Sequence, residues 1–591
     1  MYDLVIRGGT VVDGTGAPAR RADVAVQGDR IVAVGQDLGA GDQEIDASGL
    51  LVTPGWVDIH SHYDGQATWD PYLTPSSWNG VTTVMMGNCG VGFAPVKPDE
   101  RDFLIRLMEG VEDIPGSALS LGIQWDWESF PEYMDALERR SLVMDVGVQV
   151  PHGPVRAFVM GDRGARNEDA TAEDVDAMAA IVKEGLRAGA FGFTSSRTLF
   201  HKAKDGDCVP GTFAPVEELL GICRSMGEVG HGSFAVASGA LLGGTTSMEG
   251  GIPSEETELA SLYRIAKETG RPVTYACVQN SHDPDQWRRC LKVSEEAAGE
   301  GVSLIPQVQA RPAGLLLGID GTMHPFNLCP TFQPYADLTP EARLAELAKP
   351  EVRAAILADS ADYSGVAPSV RGINEAYGSM FRLGDPPDYE PKADQSLAAM
   401  AEREGRHPKE LAYDALLEGD YLYLPAMNYV EGDMEVTREM MEHELALFGL
   451  NDGGAHCGFI CDASTVTFLL THWVRDRKRG DTLPLEWIVE RQTRATAEFY
   501  GLHDRGVVAP GMLADLNVID FEGLQLHKPK MVFDLPGNER RLLQDVDGYR
   551  FTIKSGQVTF KDGEATGALP GGLVRGPQTA VQAADSETEL G

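Results

Sequence analysis

The chain of 591 residues is too long for one compact core, and its 43% hydrophobic content is enough to bury two or more domains. Its 50 basic and 89 acidic residues give a net charge of −39, and a field that negative repels phosphate backbones and anionic membranes. Nucleic acid and membrane partners are therefore disfavoured, and we expect a small-molecule substrate.

The N-terminus and the cysteines indicate the compartment. Residues 1–7 begin directly with a strand pattern, without the basic region, apolar run and cleavage site of a secretory leader. No apolar run approaches the length of a membrane span. The eight cysteines are scattered without close pairs, as in a reducing compartment. We expect a cytoplasmic protein.

Both ends of the chain carry a small β unit. Residues 3–53 alternate apolar and polar positions in short bursts separated by glycine-rich turns, and a similar pattern returns at 514–520 and 549–560. Each half-sheet is too small to stand alone. The pattern predicts one composite β-sandwich built from residues 1–53 and 506–570, followed by a polar, acidic surface tail at 571–591.

Between these units, short apolar strands alternate with helical stretches, which is typical of parallel βα units. Eight strand candidates occur, at 56–60, 81–86, 143–150, 190–195, 233–238, 272–278, 302–308 and 447–451. Eight units predict an α/β fold, a closed (β/α)₈ TIM barrel over residues 54–505, whose chemistry lies at the C-terminal ends of the strands.

A large insertion separates strand candidates seven and eight. It covers residues 312–446 and contains proline-rich turns and helical segments of its own. An insertion of this size above a barrel mouth is typical of a lid or a substrate-recognition subdomain.

The first strand of the barrel ends in a histidine pair. Trp56 to Ile59 is short, apolar and preceded by Pro-Gly, so it reads as a buried strand that delivers His60 and His62 at its far end. Side chains two apart on a strand share a face. Two imidazoles on one face can bind one divalent metal ion, although an H-x-H also occurs by chance.

Two further strand ends offer metal ligands. Strand two leads to Cys89, whose thiolate is a strong zinc ligand, although most lone cysteines are small buried hydrophobic residues. Strand eight leads to Asp452, which could bind the metal and accept a proton from water. An aspartate before Gly-Gly is otherwise an ordinary turn residue.

Several strand ends carry candidates for substrate binding. His152, His201 and His456 follow strands three, four and eight, on the catalytic face of the predicted barrel. Arg197 and Arg311 follow strands four and seven, and a guanidinium suits bidentate capture of a substrate carboxylate. Each arginine could instead pair with one of the many acidic residues.

Six motifs, spread over nearly the whole chain, are specific in combination. They are D-L-V-I-R-G-G-T-V-V-D-G-T-G at 3–16, P-G-W-V-D-I-H-S-H at 54–62, M-G-N-C-G-V-G-F-A-P at 86–95, G-A-F-G-F-T-S-S-R at 189–197, N-D-G-G-A-H at 451–456 and A-P-G-M-L-A-D-L-N-V-I-D at 509–520. Together they resemble the D-aminoacylase (N-acyl-D-amino-acid deacylase) branch of the amidohydrolase superfamily. The resemblance implies a zinc-bearing barrel with a β-sandwich made from both termini.

Carried over by residue, the resemblance implies that His60, His62 and Cys89 are metal ligands and that Asp452 is both ligand and general base. The family also has histidines on strands five and six, where this chain has Ala237 and Cys277 by alignment of the strand patterns. The surviving ligands could hold one divalent metal ion, which we expect to be zinc, with an open position for water. Cys277 is either a substitute ligand or a buried thiol.

These observations predict an enzyme, a hydrolase acting on carbon–nitrogen bonds other than peptide bonds. The expected substrate is an N-acyl-(D-)amino acid or a small peptide-like amide, cleaved by metal-activated water with Asp452 as base. One alternative is a cyclic-amide or other reaction on the same fold. Another is a metal-free, non-catalytic scaffold, which the missing histidines favour. Barrels of this kind commonly associate, so we expect a homo-oligomer.

Overall fold

The computed structural model describes residues 1–243, 251–366, 368–430 and 432–578. In chain order the strands are β1 (Tyr2–Val11), β2 (Arg20–Gln27), β3 (Arg30–Gly35), β4 (Gly41–Asp46), β5 (Leu51–Pro54), β6 (Trp56–Asp58), β7 (Val81–Met86), β8 (Asp145–Val148), β9 (Val150–Pro151), β10 (Gly192–Arg197), β11 (Ser233–Ser238), β12 (Val273–Ala276), β13 (Leu304–Val308), β14 (Gly314–Leu317), β15 (Phe381–Arg382), β16 (Leu422–Pro425), β17 (Leu447–Phe448), β18 (Leu516–Ile519), β19 (Gln525–Leu526), β20 (Lys530–Leu535), β21 (Glu539–Leu543), β22 (Val546–Asp547), β23 (Tyr549–Lys554), β24 (Gln557–Lys561) and β25 (Glu564–Ala565).

The α-helices are α1 (Arg101–Glu112), α2 (Gly116–Gly122), α3 (Phe130–Glu138), α4 (His152–Met160), α5 (Asp162–Ala165), α6 (Ala172–Ala188), α7 (Val216–Val229), α8 (Glu255–Thr269), α9 (Gln286–Gly299), α10 (Pro340–Leu347), α11 (Pro350–Ala358), α12 (Pro368–Asn374), α13 (Leu397–Glu404), α14 (Pro408–Leu417), α15 (Glu435–Glu442), α16 (Thr465–Phe468), α17 (Leu485–Gln492) and α18 (Arg494–Phe499). Short 3₁₀-helices span Gln66–Thr68, Ser76–Asn79, Asn88–Gly90, Gln333–Tyr335, Ala393–Gln395 and Asp462–Ser464, and a π-helix spans Leu469–Asp476.

Helix α6 illustrates how local sequence fixes an element. Thr171 and Asp174 form a reciprocal capping box at its start, and Gly189 ends it in the left-handed conformation at φ 109°. The helix buries one apolar stripe at helical spacing, formed by Met178, Val182 and Leu186. The turn after Gly189 then leads into β10, so the βα unit predicted from the sequence is present.

The strands of the two termini form a single sheet in the order β25-β24-β23-β18-β5-β1-β2-β3, with β4 paired to β1. The junction is an antiparallel pairing of β5 with β18, in which Pro54 lies opposite Leu516. The predicted sandwich of two half-sheets is therefore corrected to one hydrogen-bonded sheet, because the halves join edge to edge. Its buried side includes Leu4, Ile6, Val24, Val26, Leu516, Val518 and Ile553.

The central strands are parallel, as predicted. In the described residues they form two sheets, β6-β7-β8 and β17-β13-β12-β11-β10-β9, and not one closed barrel. The third predicted strand is split at Gln149 into β8 and β9. At the other side, β6 ends at Asp58, and the chain after it pairs with the chain after β17 at the isolated bridge Ser61–Gly453. The pairing is interrupted at these two places because the backbone leaves the strand conformation there.

The segment between β13 and β17 forms the insertion. It contains helices α10 to α15 and an antiparallel sheet in the order β14-β16-β15. It has its own apolar core, which includes Leu317, Phe326, Leu347, Ile356, Leu397 and Leu422. The segment between β13 and β17 thus folds around an apolar core of its own.

The chain beyond residue 570 differs from the predicted surface tail. Leu142 N donates to Gly571 O at 3.1 Å, and Val146 N donates to Gly572 O at 3.0 Å, so this segment runs along β8. Val574 is buried there, and its apolar side chain is the physical reason for the contact. Residues 579–591 of the predicted tail lie outside the described residues. Within the described part of the chain, no helix is both long and apolar enough to cross a membrane.

Candidate metal centre

The histidine pair follows β6, and the Nδ1 atom of each ring faces a side-chain oxygen. His60 Nδ1 lies 3.1 Å from Gln307 Oε1, on the adjacent end of β13. His62 Nδ1 lies 3.3 Å from Glu112 Oε1. Because each Nδ1 faces an oxygen acceptor, each Nε2 is free to point into the cavity as an electron-pair donor.

Cys89 lies in a turn after β7 with φ 53°. Its neighbours Gly87 and Gly90 also have positive φ, at 78° and 69°. A side chain at Gly87 would collide with the backbone of Gln149, and one at Gly90 would come within 2.7 Å of Ser196 N. The glycines therefore let this turn approach the neighbouring strand ends, and Cys89 Sγ lies 3.4 Å from His60 Nε2.

Asp452 reaches the same point from the end of β17. Its Oδ1 lies 3.4 Å from His60 Nε2 and 3.5 Å from His62 Nε2. Its backbone N donates to His60 O at 3.0 Å, and its φ is 48°. Three strand ends that are far apart in sequence thus bring two imidazoles, a thiol and a carboxylate together.

The spacing of these donors fits a divalent metal ion. The ligand atoms of His60, His62 and Cys89 all lie within 4.8 Å of one another. Ligands bound at about 2.0–2.3 Å in a tetrahedral arrangement lie roughly 3.3–3.8 Å apart, and the His60 contacts with Cys89 and Asp452 are both 3.4 Å. Imidazole, thiolate and carboxylate are the ligands that zinc uses in proteins. These four residues could therefore hold one such ion.

The four groups differ in the direction in which the protein shifts their pKa values. Burial lowers the pKa of His60 to about 4 and raises the pKa of Cys89 to about 11. Burial also opposes charge on His62 and Asp452, but their mutual contact and, for His62, the charge of Glu112 outweigh it, so the pKa of His62 is raised and that of Asp452 is lowered. A metal ion that binds the Cys89 thiolate must displace the thiol proton, so metal affinity should rise with pH.

The donors line a cavity of about 140 Å³. Its other walls come mainly from small or apolar residues, which are Ala235, Val236, Ala237, Leu242, Ala276, Val278, Ala313, Met427 and Leu450. Three residues with amide side chains, Asn88, Gln307 and Gln309, also line it. A cavity with a few converging polar groups and apolar walls is typical of a small-molecule site.

Two of the additional histidines predicted from the sequence line this cavity. His201 Nδ1 lies 2.9 Å from Ser196 Oγ, and burial lowers the pKa of His201 to about 3. His456 Nε2 lies 3.6 Å from Glu112 Oε2 and 3.8 Å from Asp452 Oδ2. Both rings are thus within reach of a bound small molecule.

His152, predicted as a substrate-binding residue, does not line the cavity. Its side chain is fully buried, with Nδ1 2.9 Å from Ser195 Oγ and Nε2 3.0 Å from Glu218 Oε1. Glu218 also accepts from Arg156 Nε at 2.7 Å. The prediction is corrected because both ring nitrogens are committed to this buried network, which is structural.

The two arginines proposed to capture a carboxylate are also outside the cavity. Arg197 Nε donates to Glu258 Oε1 at 2.8 Å and its Nη2 to Glu258 Oε2 at 3.1 Å. Arg311 Nη2 donates to Asp462 Oδ1 at 2.7 Å, and its guanidinium lies 4.1 Å from the centre of the Tyr389 ring. Both predictions are corrected because each guanidinium is buried against its own acidic partner, the alternative that the acidic composition had left open.

The structure shows which residues of β11 and β12 line the cavity at the positions where the family has histidines. Ala237 on β11 lines the cavity. On the next strand Ala276 lines it, and Cys277, directly after β12, does not. Cys277 packs in the apolar core, and burial raises its pKa well above the ordinary value. Side chains alternate along a strand, so the position one residue later faces the helices. Cys277 is therefore not a substitute ligand.

Sequence reasoning missed Glu112, which ends α1 and faces the site with 1% of its surface exposed. It is one of several acidic residues in a helix that is distant in sequence from the predicted strand ends, and no local signal separates it from the others. Gln307 was also not predicted to hold His60. The sequence did contain a signal for it. Gln307 and Gln309 are two residues apart at the end of a predicted strand, so their side chains are expected on the same face.

Comparison with known proteins gives a consistent assignment. The Amidohydrolase family matches residues 43–560. The chain is 28% identical over 529 residues to an N-acyl-D-glutamate deacylase of Alcaligenes xylosoxydans xylosoxydans, covering 88% of this chain and 87% of that protein. It is 35% identical over 231 residues to a D-aminoacylase of the same organism, a match that spans 39% of this chain and 43% of the D-aminoacylase.

A solved structure has the same fold. It is an N-acyl-D-glutamate deacylase from Bordetella bronchiseptica in complex with zinc and a phosphonate inhibitor that mimics the tetrahedral intermediate. The TM-score is 0.61 at 22% identity, over 97% of this chain and 100% of that one. Since the family match covers most of the sequence, the chain belongs to the Amidohydrolase family.

Proposed function

We propose that this protein is a metal-dependent amidohydrolase that cleaves the C–N bond of an N-acyl-D-amino acid or of a small peptide-like amide. The observation that carries the proposal is the convergence of His60 Nε2, His62 Nε2 and Cys89 Sγ within 4.8 Å of one another, with Asp452 Oδ1 3.4 and 3.5 Å from the two imidazoles. The relatives named above support an acyl group on a D-amino acid as the first substrate class to test.

The residues present fit one divalent metal ion, and zinc suits their chemistry. His60, His62 and Cys89 would hold it, with Asp452 as a fourth ligand or as the base beside it. A bound ion of this kind polarises a scissile carbonyl and makes water acidic enough, with a pKa of about 7, to supply hydroxide at neutral pH.

Asp452 is the residue that moves the proton. Its neighbouring imidazoles hold the pKa of its carboxyl group low, so the group is ionised at neutral pH and able to accept. It takes a proton from the attacking water as hydroxide adds to the carbonyl carbon, and it returns that proton to the leaving nitrogen as the C–N bond breaks. Each turnover thus consumes one water and yields an acid and an amine.

We also propose that the two parallel sheets belong to one (β/α)₈ unit of residues 54–505, served by the terminal sheet of residues 1–53 and 506–570. The support is that all four donors lie just beyond the C-terminal ends of parallel strands from both sheets. In that arrangement the insertion between β13 and β17 lies at the mouth of the site and contributes Ala313 and Met427 to the cavity wall.

The test combines metal analysis with a substrate panel. Elemental analysis of wild type is compared with His60→Ala/His62→Ala and with the matched double variant His503→Ala/His527→Ala. His503 is exposed, His527 is partly exposed, and neither lines the cavity. We expect about one metal ion per chain in wild type and in the control, and loss of it in the first variant.

The substrate panel contains N-acetyl-D-amino acids, their L enantiomers and cyclic amides. Wild type without metal after reconstitution would contradict the proposal and favour a scaffold, and turnover of cyclic amides alone would replace the substrate class.

A further inference from the structure

Glu112 is a buried carboxylate that faces the imidazoles of two histidines beside the cavity. It is the last residue of α1, and only 1% of its surface is exposed. Burying an ionised carboxylate is costly unless it is paired with hydrogen-bond donors. The groups that face it are two imidazoles, those of His62 and His456.

Each carboxylate oxygen faces one of these rings. Oε1 lies 3.3 Å from His62 Nδ1, and Oε2 lies 3.6 Å from His456 Nε2. In the described residues, Glu112 Oε1 and His62 Nδ1 are both buried, and neither makes a hydrogen bond of good geometry to the other or to a third group. The contact between them is therefore the one that can satisfy both atoms, with Nδ1–H as donor and the carboxylate as acceptor.

The backbone at the same helix end holds the loop that follows β17. His456 N donates to Glu112 O. The next residue, Asp113, accepts at Oδ2 from Gly458 N at 2.8 Å and from Thr322 Oγ1 at 2.7 Å. The end of α1 therefore ties the loop after β17, and the start of the insertion, to the wall of the cavity.

The two histidines of the pair have chemically different anchors. His60 faces the neutral amide of Gln307, whereas His62 faces the carboxylate of Glu112. A carboxylate accepting from Nδ1–H fixes the orientation of an imidazole and raises its basicity at Nε2, which a neutral amide does more weakly. The difference makes His62 the more strongly donating member of the pair.

We propose that Glu112 is a positioning residue of this site. It holds His62 with a proton on Nδ1 and with Nε2 directed at Asp452, and it fixes His456 over the cavity through both its side chain and its backbone oxygen. The inference rests on the proposed function only where it treats His62 as a metal ligand, since the contact with Nδ1 belongs to the protein alone.

The test uses Glu112→Ala, Glu112→Gln and the matched control Glu109→Ala, one turn earlier on α1 at a partly exposed position. Zinc affinity is measured by competition with a chromophoric chelator. We expect it to fall roughly 10- to 100-fold in Glu112→Ala, to be partly restored in Glu112→Gln because the amide oxygen still accepts, and to be unchanged in the control.

A second readout does not depend on metal. In the metal-free protein, proton NMR should show an exchange-protected Nδ1–H of His62, identified by its disappearance in His62→Ala. We expect this signal to vanish in Glu112→Ala and to persist in Glu109→Ala. If Glu112→Ala unfolds, Glu112→Gln alone decides, through a weakened affinity and a shifted signal.

The outcomes separate the two proposals. Zinc affinity within twofold of wild type together with an unchanged Nδ1–H signal in Glu112→Gln and Glu112→Ala would overturn the role of Glu112 and leave the hydrolase proposal intact. A wild type that binds no zinc would overturn the hydrolase proposal, and the Nδ1–H signal would then still decide whether Glu112 holds His62.

Discussion

Asp452 and His60 are joined twice, through a side-chain contact and through the backbone. Asp452 Oδ1 lies 3.4 Å from His60 Nε2, and Asp452 N donates to His60 O at 3.0 Å. The backbone bond fixes the loop after β17 against the chain after β6, and the positive φ of 48° turns the carboxylate back towards the imidazoles. The proposed base and the proposed metal ligand beside it are thus positioned by the same pair of strand ends.

Replacing Asp452 by asparagine should stop turnover without collapsing the site. Asparagine tolerates the left-handed backbone that this position adopts and keeps an oxygen towards the histidines, but it cannot accept a proton. We expect kcat to fall by roughly 10²- to 10⁴-fold, with metal content within a factor of two of wild type. Steady-state kinetics and elemental analysis on one preparation test this, and a variant with full activity would exclude Asp452 as the base.

Arg197 should matter for stability and not for substrate binding. Its guanidinium pairs with Glu258, which is fully buried, so Arg197→Met leaves an uncompensated carboxylate. We expect the free energy of unfolding to fall by about 3–5 kcal/mol, and Arg197→Met/Glu258→Leu to recover most of it. Urea unfolding measures the free energy of unfolding of both variants, and steady-state kinetics measure their KM. A large rise in KM at unchanged stability would return Arg197 to the substrate site.

The insertion should lose stability in mild acid through His324. Burial, with the nearby charges of Arg343 and Arg540, lowers the pKa of His324 to about 3, and its Nδ1 accepts from Phe326 N at 3.2 Å. The folded protein keeps the ring neutral, whereas the unfolded chain takes up a proton below its ordinary pKa of 6.5. Stability is therefore present above pH 6.5 and is lost as the pH falls towards 3.

The size of this effect follows from proton linkage. Between pH 7 and pH 5 we expect a loss of about 2 kcal/mol that is specific to His324. His324→Asn keeps an acceptor and removes the titration, so the difference between wild type and this variant isolates the contribution. Urea unfolding at the two pH values, or hydrogen exchange of the insertion, measures it. Equal pH dependence in both proteins would contradict the assignment.

The two alanines on β11 and β12 should accept new ligands. Ala237 and Ala276 both line the cavity, so Ala237→His/Ala276→His adds two imidazoles beside Asp452. We expect this variant to bind one more metal ion per chain than wild type. Cys277→Ala is the matched comparison, because Cys277 faces the core and its removal should leave the metal content unchanged. Loss of metal in Cys277→Ala would show that the thiol is a ligand.

The candidate metal ligands at the strand ends could be predicted from the sequence because their arrangement is local. His60 and His62 are two residues apart at the end of a strand pattern, which predicts that they share a face. The glycines around Cys89 indicate a turn that can approach its neighbours closely. Glu112 could not be reached in this way, because its direction depends on how α1 packs. Arg197 was misassigned for the same reason, since its partner Glu258 lies 61 residues further along the chain. The one-residue difference between Ala276 and Cys277 shows how strongly a predicted wall depends on strand register.

The edge pairing of β5 with β18 affects the order in which the chain can fold during synthesis. Pro54 lies opposite Leu516, about 460 residues later, and Trp56 Nε1 donates to the hydroxyl of Tyr549 at 3.0 Å. Strand β5, which directly precedes β6 and the histidine pair, therefore lacks its β18 neighbour until residues 516–519 have been synthesised. At roughly 5–20 residues per second, translation leaves that edge open for about half a minute to a minute and a half. Completion of the terminal sheet is in this sense a late step of folding, because β18 is synthesised after every candidate donor, the last of which is Asp452.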